Sequence, residues 1–285
     1  MSRPFLVAVA AFLLFLLAMR PAAAAESYDN CAGTIEALPA IVSSQGVWCV
    51  KKDLTTLSAT GSAITVTAPN VTIDCNDFKV GGLGAGPDTL TVGIHGNGVS
   101  NLTVRNCNVR GFRIGIHVDA TSGGGHLIEN NRLDGNTRLG IYVFGDGSRI
   151  RGNNVIDTGG GLVGGNTIGG ILADGDVDII DNTIRNVTGE PDVAEFAIGI
   201  FHNGGTSGVI DNNRISGVLP SATGTANGMI IYSTNLALRN NIVANPTAVA
   251  AMDCLSASVV ARGNMRTGLG TTLDTCTDGG DNTAP

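Results

Sequence analysis

His95, His117 and Tyr142 stand at the same place in three successive copies of a short Gly-Ile-x segment, and Arg113 and Arg138 each precede the glycine of their copy by two residues. If the copies stack, an imidazole pair, a phenol and two guanidinium groups share one surface, with Asp119 beside them. Such a set suits a uronate sugar: arginine neutralises the carboxylate while histidine or tyrosine removes the proton alpha to it. Histidine fits that task because its unperturbed pKa lies near neutral pH, and tyrosine can return a proton to the leaving oxygen. His117, His95, Tyr142, Arg113, Arg138 and Asp119 are therefore the candidate catalytic residues. A plainer reading stands beside this one, in which Arg113 and Arg138 pair with Asp119 and Asp134 on a solvated surface and the rings are ordinary ladder residues.

Positioning these side chains requires a regular stack, and the sequence repeats in a way that predicts one. An apolar residue, two variable ones, usually Asn, one variable and another apolar residue recur as Ile73-Asn76-Phe78, Val104-Cys107-Val109, Ile128-Asn131-Leu133, Ile150-Asn153-Val155, Ile179-Asn182-Ile184, Ile210-Asn213-Ile215 and Leu238-Asn241-Val243, with Asn264 marking one more. Successive markers lie 31, 24, 22, 29, 31, 28 and 23 residues apart, the range of stacked repeat folds. Each unit joins a β-branched run before the Asn to a Gly-Ile-x or Gly-Met-x segment beginning at Gly93, Gly115, Gly140, Gly170, Gly199 or Gly228. Alternation without a helical period predicts strands. A leucine-rich repeat shares the apolar-x-x-Asn-x-apolar element, but it calls for inner leucines and often a helical return, whereas Ile, Val and Gly-rich returns dominate here. The predicted fold class is all-β: a right-handed parallel β-helix of about eight coils. Its caps are an N-terminal one over about 30–50, with a short α-helix read over residues 30–44 from Ile35, Leu38, Ile41 and Val42 before strand-like GVWCV, and a C-terminal cap over about 254–285.

Stacking at about 4.8 Å per coil converts the repeat into columns. The residue after the inward Ile gives His95, His117, Tyr142, Leu172, Phe201 and Ile230, and two positions on come Asn97, Asp119, Phe144, Asp174, Asn203 and Tyr232. Rings and hydrogen-bonding groups on one flat face suit a sugar, so Phe144, Phe201, Tyr232 and Asp174 are candidate substrate-binding residues. From the second apolar residue of each marker to the next Gly the intervals are 15, 6, 7, 15, 15 and 13 residues, so long turns flank two short ones that carry Arg113 and Arg138. Two arginines stacked in adjacent coils are unfavourable unless an anion lies between them.

The other chemistry-bearing residues make weaker cases. Asp174, Asp176 and Asp178 alternate and can lend oxygens to calcium, yet the rest of an EF-hand loop is missing and Asp-Gly is also a turn signal. His95 and His117 lack a third ligand for copper or zinc, and no metal is assigned. His202 is expected inward as a satisfied core residue, His126 in a Gly-rich turn without an obvious partner, and the Asn ladder in backbone satisfaction rather than binding.

The segment ITVTAPNVTIDCNDFKVGG, followed by repeated IxNNxI and GIxV units, resembles the pectate-lyase-like superfamily of right-handed β-helices over roughly residues 31–270. That resemblance implies the scaffold; it leaves the activity open, since the superfamily holds lyases, hydrolases, epimerases, adhesins and copper-site accessory proteins. The paired-Asp, Gly-His-Gly and Arg-x-Lys set of polygalacturonases, the DPHD of mannuronan epimerases and the Arg-x-Pro-x-x-Arg of pectate lyases are missing from this sequence.

Residues 1–25, with an early Arg3, an apolar run from Phe5 to Met19 and a small-x-small site at Ala23 and Ala25, read as a secretory signal peptide, leaving 26–285 as a single exported domain in the periplasm or outside the cell. The formal charge is −7, from 17 basic and 24 acidic residues, and loss of Arg3 and Arg20 makes the remainder more acidic. No basic stripe marks a nucleic-acid partner, and no later stretch reads as a membrane span. Six cysteines in an exported chain favour disulfides, for which Cys31 with Cys49, Cys75 with Cys107 and Cys254 with Cys276 are expected among 15 possible pairings. The partner expected is a polysaccharide or surface glycan, acted on by a lyase or related carbohydrate-active enzyme. The alternative is a noncatalytic binding or adhesion module using Leu172, Phe201, Ile230 and Tyr232.

Overall fold

A computed structural model of the chain describes residues 30–119, 123–161, 167–189, 196–221, 224–244, 250–267 and 271–283. Residues 1–25, read above as a signal peptide, lie outside them. Cys31–Pro285 forms one compact unit.

Short strands, mostly of three to eight residues, coil into a parallel solenoid with three faces. The first sheet has eleven strands, the second nine and the third ten, and neighbours within each come from successive turns of the chain. One coil shows the plan: Leu127–Glu129 belongs to the first sheet, Arg132–Asp134 to the second and Leu139–Phe144 to the third. All seven sequence markers fall at the bend between the first two sheets, and the stack continues through weaker copies at both ends.

Three inward columns make the core. The first sheet contributes Ile73, Val104, Ile128, Ile150, Ile179, Ile210 and Leu238, and the third Ile64, Ile94, Ile116, Ile141, Ile171, Ile200 and Met229, all fully buried. β-Branched residues suit such doubly constrained parallel strands, which explains the preference for Ile and Val over Leu. The second sheet's column runs Val80, Val109, Leu133, Val155 and Ile184. Here the first marker is out by two: Val80, not Phe78, lies opposite Val109.

The marker asparagines from Asn131 onward form a buried ladder. The side-chain oxygen of Asn182 accepts the N–H of Asn153 at 2.9 Å and its Nδ2 at 3.0 Å, while the Asn182 amide donates to the carbonyls of Ile150 and Ile180 and to Asn213 Oδ1. Asn131, Asn213, Asn241 and Asn264 repeat the scheme, and Asn282 ends it. The residue before each rung must turn through positive φ. Asn106, Asn130, Asp181, Asn212 and Asn240 do so at 52–59°, with Gly152 and Gly263 filling the same place, because Asn, Asp and Gly tolerate this region best.

The expected N-terminal helix is not formed. Gly33–Ile35, Ala40–Val42 and Gly46–Val50 are strands, the first pairing with the third and the second with Ser62–Val66. Ile35 and Val42 turn inward while Ile41 is 71% exposed, so apolar spacing that imitates a helix face over a short window is overridden by pairing to the stack. At the other end, Val260–Arg262, Met265–Thr267, Thr271–Asp274 and Thr277–Asp278 prolong all three sheets. The three disulfides are Cys31–Cys49, Cys75–Cys107 and Cys254–Cys276, as expected.

Candidate functional site

The outer face of the third sheet carries the expected column in lateral register: Thr65, His95, His117, Tyr142, Leu172, Phe201, Ile230 and Asp253. Alternation along each strand turns the residue next to a buried Ile outward, and parallel register stacks it on its counterpart one coil away. The rings of His95 and His117 lie 5.0 Å apart and 7° from parallel, and those of His117 and Tyr142 lie 4.8 Å apart at 8°. His95 Nδ1 faces Ser62 Oγ at 3.3 Å, an orienting contact with no motif to announce it in the sequence.

Arg113 and Arg138 occupy the same position in successive coils, with the Arg138 N–H donating to the Arg113 carbonyl at 3.0 Å. Both side chains are half-buried. Within these short turns Phe112 is fully buried, and Asn136 links the two by accepting the Phe112 N–H at 3.1 Å. On one side stands the longer turn of residues 82–91, with a 3-10 turn at Leu83–Ala85; the long turn on the other side includes residues 162–166, outside those described. Asp134 is engaged by Arg132 at 3.1 Å.

The electrostatics bind these groups into one site. Burial first, and then His95, holds the His117 imidazole down to about 4, with Asp119 pulling the other way. Burial likewise lowers His95, again opposed by Asp119. The near-neutral titration expected of His117 is therefore not what its surroundings give: desolvation favours the uncharged ring. Tyr142 is raised by burial, then by Asp174 and Asp119, while Arg138 acts against them, so the phenol keeps its proton. The set can offer a neutral imidazole as acceptor, a phenol as donor and arginine as the cation.

Further along the face, Phe201 and Tyr232 meet edge to face at 5.1 Å, and Tyr232 is 45% exposed. Phe144 is half-buried and lies opposite Asp174, which accepts Asn203 Nδ2 at 3.0 Å. Asp253, which sequence reasoning missed because its coil lacks the Gly-Ile signature, closes the stripe opposite Asp274; burial first and then Asp274 raise its carboxyl.

The three aspartates read as a possible calcium site point to separate protein donors. Asp176 accepts the N–H groups of Thr206 and Ser207, Asp178 meets Arg149 at 2.9 Å, and Asp174 is taken by Asn203. Among the described residues, no three His, Cys, Asp or Glu side chains converge as a metal site would require. His202 is buried as expected, between Ser233 Oγ at 2.6 Å and the Val177 carbonyl at 2.8 Å. His126 is also buried, and it does have a partner: its Nδ1 accepts the Leu102 N–H at 3.2 Å. No described helix is long and apolar enough to cross a membrane.

A family model described as "Right handed beta helix region" matches residues 41–167 and 92–283. No curated protein matches the sequence. Among solved structures, the chain is similar to a tailspike protein mutant of E. coli bacteriophage HK620 in complex with a pentasaccharide, at 9% identity and TM-score 0.53, covering 90% of this chain and 60% of that one. It is also similar to the A-module of the Azotobacter vinelandii mannuronan C-5 epimerase AlgE6, at 13% identity and TM-score 0.43, covering 90% and 91%. A third is the catalytic domain of a GH87 alpha-1,3-glucanase in complex with nigerose, at 11% identity and TM-score 0.43, covering 90% and 63%.

Proposed function

The chain belongs to the right-handed β-helix family, and on that footing we propose that it is an exported protein that binds a uronate-containing polysaccharide along its third sheet and cleaves it by β-elimination. The observation that carries this reading is the parallel stack of His95, His117 and Tyr142 beside the coil-to-coil pair Arg113 and Arg138. Arginine screens the uronate carboxylate and so acidifies the C–H alpha to it. Neutral His117 accepts that proton, the electron pair forms the carbon–carbon double bond, and the departing glycosidic oxygen takes a proton from Tyr142. A bound carboxylate beside His117 favours the imidazolium that the step creates, offsetting the desolvation that depresses its basicity.

Three disulfides support export, because such bonds persist in oxidising compartments. The HK620 tailspike structure similar to this chain is a complex with a pentasaccharide, although at 9% identity that likeness concerns the scaffold. A second reading, glycan binding without chemistry, draws on the low basicity of His117 and on the exposed Tyr232 against Phe201. Incubation with galacturonate, mannuronate and guluronate polymers, following absorbance of the unsaturated uronate, separates the two. Product formation supports the lyase; glycan binding with no product on any polymer supports the second reading.

A further inference from the structure

The outer face of the second sheet holds a different concentration of unanswered charge. Arg105, Arg132, Arg149, Arg151, Arg239 and Arg262 each meet an Asp or Glu. Arg185 and Arg214 meet none among the described residues, although the chain carries a formal charge of −7. Both are exposed and both line one groove of about 270 Å³.

Register gives the groove its pattern. Thr183 lies opposite Arg214 and Arg185 opposite Ser216, so guanidinium and hydroxyl groups alternate at the corners of a square two coils wide. Strand geometry puts the two arginine Cα atoms roughly 8 Å apart on the diagonal, close enough for both side chains to reach one anion. Ile242 continues the row beyond Arg214 as an apolar edge, and Asn154, opposite Thr183, has a buried Oδ1 with no hydrogen-bond partner. A larger groove on the same sheet, of about 420 Å³, carries as many carboxylates as cations: Asp53, Asp77 and Asp134 line it with Lys79, Arg110 and Arg132, and Asp53 meets Lys79 at 3.3 Å and Asp134 meets Arg132.

We propose that the groove formed by Thr183, Arg185, Arg214 and Ser216 is a second glycan site that takes a carboxylated sugar. The carboxylate sits between Arg185 and Arg214, the hydroxyls of Thr183 and Ser216 meet the ring hydroxyls, and Ile242 receives an apolar C–H edge. Two cations without carboxylates are a net repulsion until an anion enters, and planar guanidinium groups match a carboxylate in geometry as well as charge. Neutral glycans satisfy only the hydroxyls. This site stands apart from the third-sheet column and does not depend on its chemistry.

The test is arginine footprinting of the whole chain with phenylglyoxal, read by mass spectrometry, in the presence of galacturonate or mannuronate hexamers or their methyl esters. Protection of Arg185 and Arg214 by a free-acid hexamer but not by its ester is the expected result. In titration calorimetry, Arg185→Gln with Arg214→Gln should weaken that hexamer's binding at this site by about tenfold or more, with the thermal midpoint unchanged because neither residue is buried. Two results overturn the proposal: both arginines stay reactive at millimolar concentrations of both hexamers, or ester and acid protect them equally. Loss of catalysis in His117→Ala with footprints intact leaves this site standing and bears only on the third sheet.

Discussion

The imidazole of His117 lies 4.8 Å from the phenol ring of Tyr142, the two planes within 8° of each other. One ring is held neutral and the other protonated by the same desolvating surface. His117→Ala should therefore reduce uronate-product formation by roughly 10²–10⁴-fold, the usual contribution of a general base. Tyr142→Phe, which keeps the stack and removes the proton, should lower kcat with KM little changed. Equal rates in Tyr142→Phe and the parent chain, under conditions where chemistry limits turnover, exclude tyrosine as the proton donor.

Acid sensitivity follows from the buried imidazoles. His126, 1% exposed, is held down to about 4 by burial, against an ordinary value of 6.5. The unfolded chain thus binds more protons in that window, and stability is full above about pH 6.5, falls as pH drops toward 4 and levels off below. For His126 alone the loss is about 3 kcal/mol. Urea midpoints of the parent and His126→Gln chains at pH 7, 5.5 and 4 check this; parallel decline in both removes His126 as a cause.

Within the asparagine ladder, Asn182→Ala should be among the costliest single changes. It removes the acceptor of the buried Asn153 N–H and one bond each from Asn153 Nδ2, the Ile150 and Ile180 carbonyls and Asn213 Oδ1. A buried N–H left without a partner costs about 1–3 kcal/mol and each further lost bond about 1 kcal/mol, so a loss of about 3 kcal/mol or more is expected in urea unfolding. Asn108→Ala, at the solvent side of the second sheet, should fall well below that.

Cys254 and Cys276, 22 residues apart, tie the last coils together. Replacing both with serine should reduce stability by about 3 kcal/mol, while leaving glycan binding at the remote His117 coil unaltered. Limited proteolysis should then cut first near the C-terminus; initial cleavage near His117 would show that the terminal bridge is not what secures this end.

Much of the fold was readable because its signals are local and repeated. The Ile128-Asn131-Leu133 pattern places two inward residues and a ladder rung in six positions, and His95, His117 and Tyr142 align by counting from such markers. The first marker slipped from Val80 to Phe78 because Asn76 and Asp77 both take positive φ there and add backbone before the second sheet begins. Residues 30–44 misled because helix-like apolar spacing in a short segment says nothing of the sheet edge awaiting it. The depressed His117 is a product of burial and of His95 in the adjacent coil. Likewise Thr183, Arg185, Arg214 and Ser216 form no motif in sequence; only lateral register makes them a square.

Asn153, Asn182, Asn213 and Asn241 engage their neighbours through the same set of bonds, each to the next rung and to a carbonyl of the first sheet one coil earlier. Any two rungs are thus interchangeable joints. Excising residues 154–182 brings Asn153 directly before Thr183, whose strand position matches that of Asn154, and leaves a molecule one turn shorter with its joints intact. Length in such a chain is a quantity that can change by whole turns, so gene duplication or deletion can lengthen or shorten the outer track of the third sheet without redesigning the protein that bears it.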